Sequence, residues 1–282
     1  MNDIEVVNMV PKFLSFYEKA EASDGTMDSI FALWEEHYNF AAVPPGDEGR
    51  QMAREMVEGS WKQYGEVIPV LKSWKLDEQR IEEVLQKVKA TLGYEDAVSI
   101  SVIYFVGAFD ENPFVAPIGD GRLALCLPVE TGTSDIVLAH EMTHIVHAKT
   151  ANLAMAWERS IATTILQEGL AMRVSQALVP GHANEDYAEH KEGWLKAASV
   201  KEVEILQGIL PHVNDSSSEA VIKFTFGHGE AGLEREAYYV GWVLVDSLLK
   251  NGVSFKEIAA IPEEHMPEFV RGKIEGMLVA SQ

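Results

Sequence analysis

A histidine–glutamate–histidine pattern in residues 138–147 constrains this chain more than any other feature. The segment has the sequence Leu-Ala-His-Glu-Met-Thr-His-Ile-Val-His without glycine or proline, and it follows Thr-Ser-Asp, which is typical of a helix start, so we predict an α-helix. One helical turn separates His140 from His144, and both imidazoles can therefore bind the same metal ion. Glu141 lies about 100° around the helix from His140. It is predicted to be the general base for a metal-activated water.

Glu168 is the predicted third metal ligand. Catalytic zinc keeps three protein ligands and an open position, and two histidines with one glutamate form one such set. The distance along the chain from His144 leaves room for a turn near residues 150–152 and a second helix that runs back alongside the first. The small residues Gly169 and Ala171 would let the two helices approach closely. An ordinary surface glutamate is the alternative, although the residues around it are mostly apolar.

The two motifs together resemble those of gluzincin-clan zinc metallopeptidases. They are particularly similar to a little-characterised group of bacterial predicted zinc-dependent proteases with Glu-Gly-Leu-Ala at the third ligand, here residues 168–171. Residues 238–242, Tyr-Tyr-Val-Gly-Trp, are similar to an aromatic-glycine helix of that group, and the resemblance covers roughly residues 95–260. The chain departs from the pattern at Met172, where many gluzincins have an acidic residue that orients a histidine. The resemblance implies Zn²⁺ as cofactor and hydrolysis of peptide bonds.

A strand pattern precedes the metal helix. Apolar, β-branched and aromatic residues dominate Val98–Val106 and predict one strand, residues 119–121 predict a turn, and Arg122–Leu127 predict a second strand. The resemblance implies that these strands form a small antiparallel sheet whose edge strand accepts an extended substrate by main-chain hydrogen bonds. Ala124 and Cys126 would then let a peptide lie close. A strand that only packs on the helix is equally consistent with the sequence.

Three further residues are candidates for stabilising the oxyanion that forms during hydrolysis. From the resemblance we favour Tyr238, with Tyr239 and His228 as rivals, and core tyrosines on an amphipathic helix are the alternative. His147 shares the face of His140 but lies ~10.5 Å along the helix, too far to bind the same ion. It is predicted either to support a metal ligand or line the cleft, or to be an ordinary packed histidine.

The predicted fold is α+β and mostly helical, with the zincin-like arrangement that the resemblance implies. Residues 1–93 are predicted to form an N-terminal helical scaffold and residues 94–282 the catalytic domain, and the two could form one compact unit. Within the catalytic domain we expect the sheet at 97–129, the metal helices at 134–178 and a helical lobe at 184–282.

Composition limits the partners. The chain has 23 basic and 44 acidic residues, a net charge of −21, which disfavours nucleic acid and anionic membranes. A peptide or protein substrate is the partner that the resemblance implies. The single cysteine, Cys126, excludes an internal disulfide and is expected to be a buried strand residue. No leader sequence and no apolar run of membrane-spanning length is present, so we expect a cytoplasmic protein.

Two other functions are compatible with the same motifs. The chain could be a zinc-stabilised scaffold or regulatory protein without peptidase activity, in which a protein side chain such as His228 closes the fourth metal position. It could also hydrolyse a non-peptide amide at the same zinc. The sequence leaves the oligomeric state and the cleavage preference open.

Overall fold

The computed structural model describes residues 2–44, 46–110, 113–118, 122–154, 156 and 158–280. The chain divides into two compact units, one formed by Met1–Glu82 with Ala97–Ser134 and the other by Glu83–Asp96 with Asp135–Gln282. The sheet therefore groups with the N-terminal helices, whereas the sequence-based division assigned it to the same domain as the metal helices. The predicted turn at 119–121 lies outside the described residues.

Within its described residues, the first unit contains a four-stranded sheet and three complete helices. Its elements are β1 (Asp3–Asn8), α1 (Val10–Glu21), α2 (Met27–His37), α3 (Asp47–Ser73), β2 (Ser99–Phe105), β3 (Phe114–Pro117) and β4 (Leu123–Pro128). Helix α4 (Glu78–Leu92) begins in the first unit and continues into the second. The chain is α+β, as predicted.

The sheet is mixed, so the prediction of an antiparallel sheet is wrong. The strand order is β1-β2-β4-β3, in which β2 pairs in parallel with both β1 and β4, and only β3 is antiparallel. All six residues of β4 are buried. A continuous apolar strand such as Leu-Ala-Leu-Cys-Leu is typical of a parallel strand covered on both faces. This continuous apolar pattern fits the parallel pairing of β4 with β2.

The pairing of β4 also excludes substrate addition to this strand. Ala124 pairs with Ser101 of β2 on one side and Ala116 of β3 on the other, and Cys126 is likewise paired on both sides. Because β4 has no free edge, an extended peptide cannot add to it, and the edge-strand hypothesis is wrong for Ala124 and Cys126. Cys126 is a buried free cysteine, as expected, and burial raises the pKa of its thiol to about 12.

Strand β1 lies in the segment that the sequence predicted to be helical. It pairs with β2 across nearly a hundred residues of sequence, for example Val6 with Val102. The Glu5 side chain is satisfied there, since Ser101 donates to it at 3.1 Å and Arg122 forms an ion pair with it at 2.8 Å. Local periodicity cannot predict such a strand, because its stability depends on a distant partner.

The second unit is helical after residue 135. It contains α5 (Asp135–Thr150), α6 (Ile161–Leu178), α7 (Glu185–Ala188), α8 (Trp194–Val200), α9 (Glu202–Ile209), α10 (Ser218–Thr225), α11 (Glu236–Lys250), α12 (Phe255–Ala259) and α13 (Met266–Ala280). Every residue of α6 from Ile161 to Ser175 is buried, and α5, α11 and α13 pack around it. Helices α5 and α6 match the predicted metal helices. Among the described residues, no helix has the length and apolar character needed to cross a membrane.

Candidate metal centre

Helix α5 brings the two histidines of the motif together. His140 and His144 lie one turn apart, their ring centroids are separated by 4.8 Å, and their Nε2 atoms are 3.1 Å apart. The helix needs no special backbone conformation to do this, since it runs without glycine or proline from Asp135 to Thr150. The local sequence is therefore sufficient to form this half of the site.

Helix α6 supplies the third side chain. The helix begins after Ser160, whose hydroxyl caps it by accepting a hydrogen bond from the Thr163 N–H at 3.1 Å. Glu168 Oε2 lies 3.4 Å from Nε2 of His140 and 3.5 Å from Nε2 of His144. The Glu168 side chain is only 8% exposed, so the alternative of a solvated surface glutamate does not hold.

The spacing of these three atoms fits a zinc ion. Two donors that each lie ~2.1 Å from a tetrahedral zinc ion are about 3.4 Å apart. The separations among His140 Nε2, His144 Nε2 and Glu168 Oε2 are 3.1, 3.4 and 3.5 Å. Two imidazole nitrogens and one carboxylate oxygen are also donor types that zinc binds in catalytic sites. The side chains thus suit the ion in both chemistry and spacing.

The remaining residue of the motif, Glu141, lies beside this triangle. One of its oxygens and the two imidazole nitrogens lie within 4.8 Å of one another. Burial raises the pKa of Glu141, the nearby histidines oppose that effect, and the charge of Glu168 adds to it. Burial also acts to raise the pKa of Glu168, but the two histidines outweigh it and hold that pKa well below its ordinary value. One carboxylate is therefore favoured as an ionised ligand and the other as a base.

His147 belongs to the core. It is completely buried, and neither ring nitrogen has a hydrogen-bond partner within the described part of the chain. Burial, with a smaller contribution from His144, lowers its pKa to about 3, so the ring is neutral. Of the two alternatives that the sequence left open, this environment favours the packed histidine.

The three oxyanion candidates occupy different surroundings. Tyr238 lies in the first turn of α11, and burial together with the charge of Glu168 raises its pKa, so the phenol keeps its proton. Tyr239 is buried, and its hydroxyl donates to Glu202 at 2.7 Å. The His228 side chain is 64% exposed and lies 3.7 Å from Glu234. The charges of Glu168 and Glu141 both act to raise the pKa of Tyr238.

Two arginines that were not predicted from the sequence, Arg159 and Arg235, lie near Glu168 and Tyr238. The Arg159 Nε donates to Thr164 Oγ1 at 3.1 Å, and Thr164 lies one helical turn before Glu168 on α6. The Arg235 guanidinium lies 5.1 Å from the centroid of the Tyr238 ring. Each arginine stands at the N-terminus of a helix, where a cation is disfavoured. That unusual placement was the available sequence signal, but it requires the helix boundaries to be known.

Comparison with known proteins adds no relative: no family model, curated protein or solved structure matches the chain.

Proposed function

We propose that this chain is a zinc-dependent peptidase. The observation that carries the proposal is the triangle of His140, His144 and Glu168 donor atoms, with sides of 3.1, 3.4 and 3.5 Å. These three residues would hold the ion. When bound, zinc would polarise the substrate carbonyl and lower the pKa of a coordinated water.

The protein side chains supply the proton transfers. Glu141, whose pKa burial raises, accepts a proton from the attacking water and delivers it to the departing amide nitrogen. The neutral Tyr238 hydroxyl makes no hydrogen bond within the described part of the chain, so it is available to donate one to the developing oxyanion. Both roles use a group whose pKa lies above its ordinary value.

Two features support a catalytic rather than a structural site. A structural zinc would require a fourth protein ligand, and His228, the sequence-based candidate, is instead exposed beside Glu234. A structural site also has no use for a partly buried carboxylate with a raised pKa, such as Glu141, next to the ligands. Hydrolysis of a non-peptide amide would use the same groups, and the substrate test below separates the two.

The proposal is tested with a mixed peptide library and the zinc-loaded protein. We expect cleavage that a chelator abolishes and that zinc restores. The Glu141→Gln variant should keep its zinc and lose about 10²- to 10⁴-fold in rate, because it removes the proton acceptor. Glu192→Gln, at an exposed position of the same unit, is the matched control and should cleave like the wild type. Wild-type rates in the Glu141→Gln variant would contradict the mechanism.

A further inference from the structure

Helices α6 and α11 lie side by side and point in the same direction. They touch where a Cβ on Gly169 would meet the backbone of Gly241. Further along both helices, Arg173 donates to the Trp242 carbonyl at 3.1 Å and forms an ion pair with Asp246 at 3.3 Å. Since later residues of α6 contact later residues of α11, the N-termini of the two helices lie on the same side.

Both N-termini carry an arginine. The Arg159 guanidinium is fixed through Nε to Thr164, and its Nη groups make no hydrogen bond or ion pair with any residue that the structure describes. Arg235 contacts the ring of Tyr238. Both positive charges act on the Tyr238 hydroxyl, whose pKa burial and Glu168 raise. Contacts with Thr164, one helical turn before Glu168, and with the Tyr238 ring place the two guanidinium groups beside residues of the candidate centre.

This arrangement is unfavourable for the folded protein by itself. A cation at a helix N-terminus opposes the helix dipole. Arg235 also has φ 55°, in the left-handed region that costs a non-glycine residue about 1 kcal/mol or more. Strained and unfavourable positions of this kind concentrate where a ligand is bound.

The charges around the metal indicate the ligand. A bound Zn²⁺ would offset the two negative charges of Glu141 and Glu168, and the charges of Arg159 and Arg235 would then add to the positive charge beside it. The chain as a whole has a net charge of −21, so this local excess contrasts with the rest of the molecule. A guanidinium with free Nη groups binds a carboxylate through two parallel hydrogen bonds.

We propose that Arg159, assisted by Arg235, binds a carboxylate of the substrate next to the bond that is cleaved. This inference rests on the proposed peptidase function and narrows its substrate class. The carboxylate has two possible sources, the free C-terminus of a short peptide or an acidic side chain beside the cleaved bond.

The binding test separates this inference from catalysis. The zinc-loaded Glu141→Gln variant is titrated by calorimetry with three N-acetylated alanine pentapeptides: a free acid, a C-terminal amide, and an amide with one central glutamate. We expect one of the two carboxylate-bearing peptides to bind more tightly than the plain amide, and the tighter one identifies the source. Adding Arg159→Gln should weaken the binding of that peptide by about 10- to 100-fold and leave the affinity for the plain amide unchanged.

Two further variants control for indirect effects. Thr164→Val removes the hydrogen bond that fixes Arg159 Nε but keeps the guanidinium. It should therefore weaken binding of the carboxylate-bearing peptide by a smaller factor than Arg159→Gln does. Arg271→Gln, on α13, removes the same charge elsewhere in the unit and should leave the affinities for all three peptides unchanged. Equal affinity for all three peptides, or an unchanged preference in Arg159→Gln, would overturn the inference.

Cleavage of the same peptides by the wild type distinguishes the two proposals. If the peptides are cleaved but Arg159→Gln does not change the ratio of kcat/KM values between them, the inference fails and the peptidase function stands. If neither these peptides nor the mixed library is cleaved but Arg159→Gln abolishes the preference in binding, the carboxylate site stands and the peptidase function fails.

Discussion

At the residue scale, the candidate centre contains two glutamates whose pKa values shift in opposite directions. Glu168 lies against two imidazoles, and their attraction overcomes burial and keeps it ionised. Glu141 is also near the histidines, but burial dominates and its pKa is raised. Residue type alone therefore does not assign the roles of ligand and base. The proposed assignment rests on the distances of the two carboxylates from the imidazole nitrogens.

Tyr238→Phe tests the proposed oxyanion donor. Loss of the hydroxyl should lower kcat by about 10²- to 10³-fold while zinc content stays at the wild-type level. Tyr239→Phe is the matched control, because its hydroxyl donates to Glu202 instead, and its kcat should change little. Steady-state kinetics on the best library peptide measure both. A large loss of kcat in Tyr239→Phe, together with normal kinetics in Tyr238→Phe, would contradict this assignment and make Tyr239 the oxyanion donor.

Glu130 provides a pH prediction in the first unit. Burial raises its pKa above the ordinary 4.5, although the N–H groups of Gly107 and Phe109 donate to Oε1 at 2.9 and 3.4 Å. Between the ordinary and the raised pKa, the folded state binds more protons than the unfolded chain. The free energy of unfolding therefore falls as pH rises through that window.

Glu130→Gln removes this titration and keeps a hydrogen-bond acceptor. We expect the variant to become more stable relative to the wild type as the pH of a urea titration rises from about 4 to about 7. Glu66→Gln, exposed on α3, controls for the loss of one negative charge. A relative stability of Glu130→Gln that decreases with pH would show that the charged carboxylate stabilises the fold.

At the element scale, α6 organises the second unit because it is buried along most of its length and carries Glu168. Gly169 was expected to allow a close approach to the first metal helix. Its close neighbour is instead Gly241 of α11, and the two glycines let these backbones touch. The contact fixes α11, and with it Tyr238, relative to Glu168.

Gly169→Ala tests that contact. A methyl group would overlap the Gly241 backbone, so the helices must separate, and we expect a loss of about 1–3 kcal/mol in the free energy of unfolding. Gly272→Ala on α13 is the matched control, since a Cβ there meets nothing within 4 Å, and it should gain ~0.5–1 kcal/mol. Urea unfolding measures both. Equal stability of the two variants would mean that α6 and α11 do not require the glycine pair.

The elements also show where sequence reasoning succeeds. The metal helices were predictable because His140 and His144 lie one turn apart on a continuous helix, and Glu168 stands out among apolar neighbours. The mixed sheet was not predicted, since strand direction and the pairing of β1 depend on contacts between distant segments. Arg159 was also missed, because its importance comes from Thr164 and Tyr238, which the fold brings near it.

At the scale of the whole molecule, two arginines beside the candidate centre contrast with an acidic chain. The 44 acidic residues outnumber 23 basic ones, yet Arg159 and Arg235 lie beside the candidate centre. All proposed ligands, the base, Tyr238 and both arginines belong to the second compact unit. The proposed chemistry can therefore be derived from the geometry of that unit alone.

Zinc content per chain is the most direct test of the central claim that His140, His144 and Glu168 form the metal site. After zinc loading and dialysis, mass spectrometry should find one zinc in the wild type and in Glu141→Gln, and little in His144→Ala, Glu168→Ala or the more conservative Glu168→Gln, with circular dichroism to verify folding. Wild-type zinc content in both Glu168 variants, together with loss of zinc in Glu141→Gln, would contradict the account by making Glu141 the ligand.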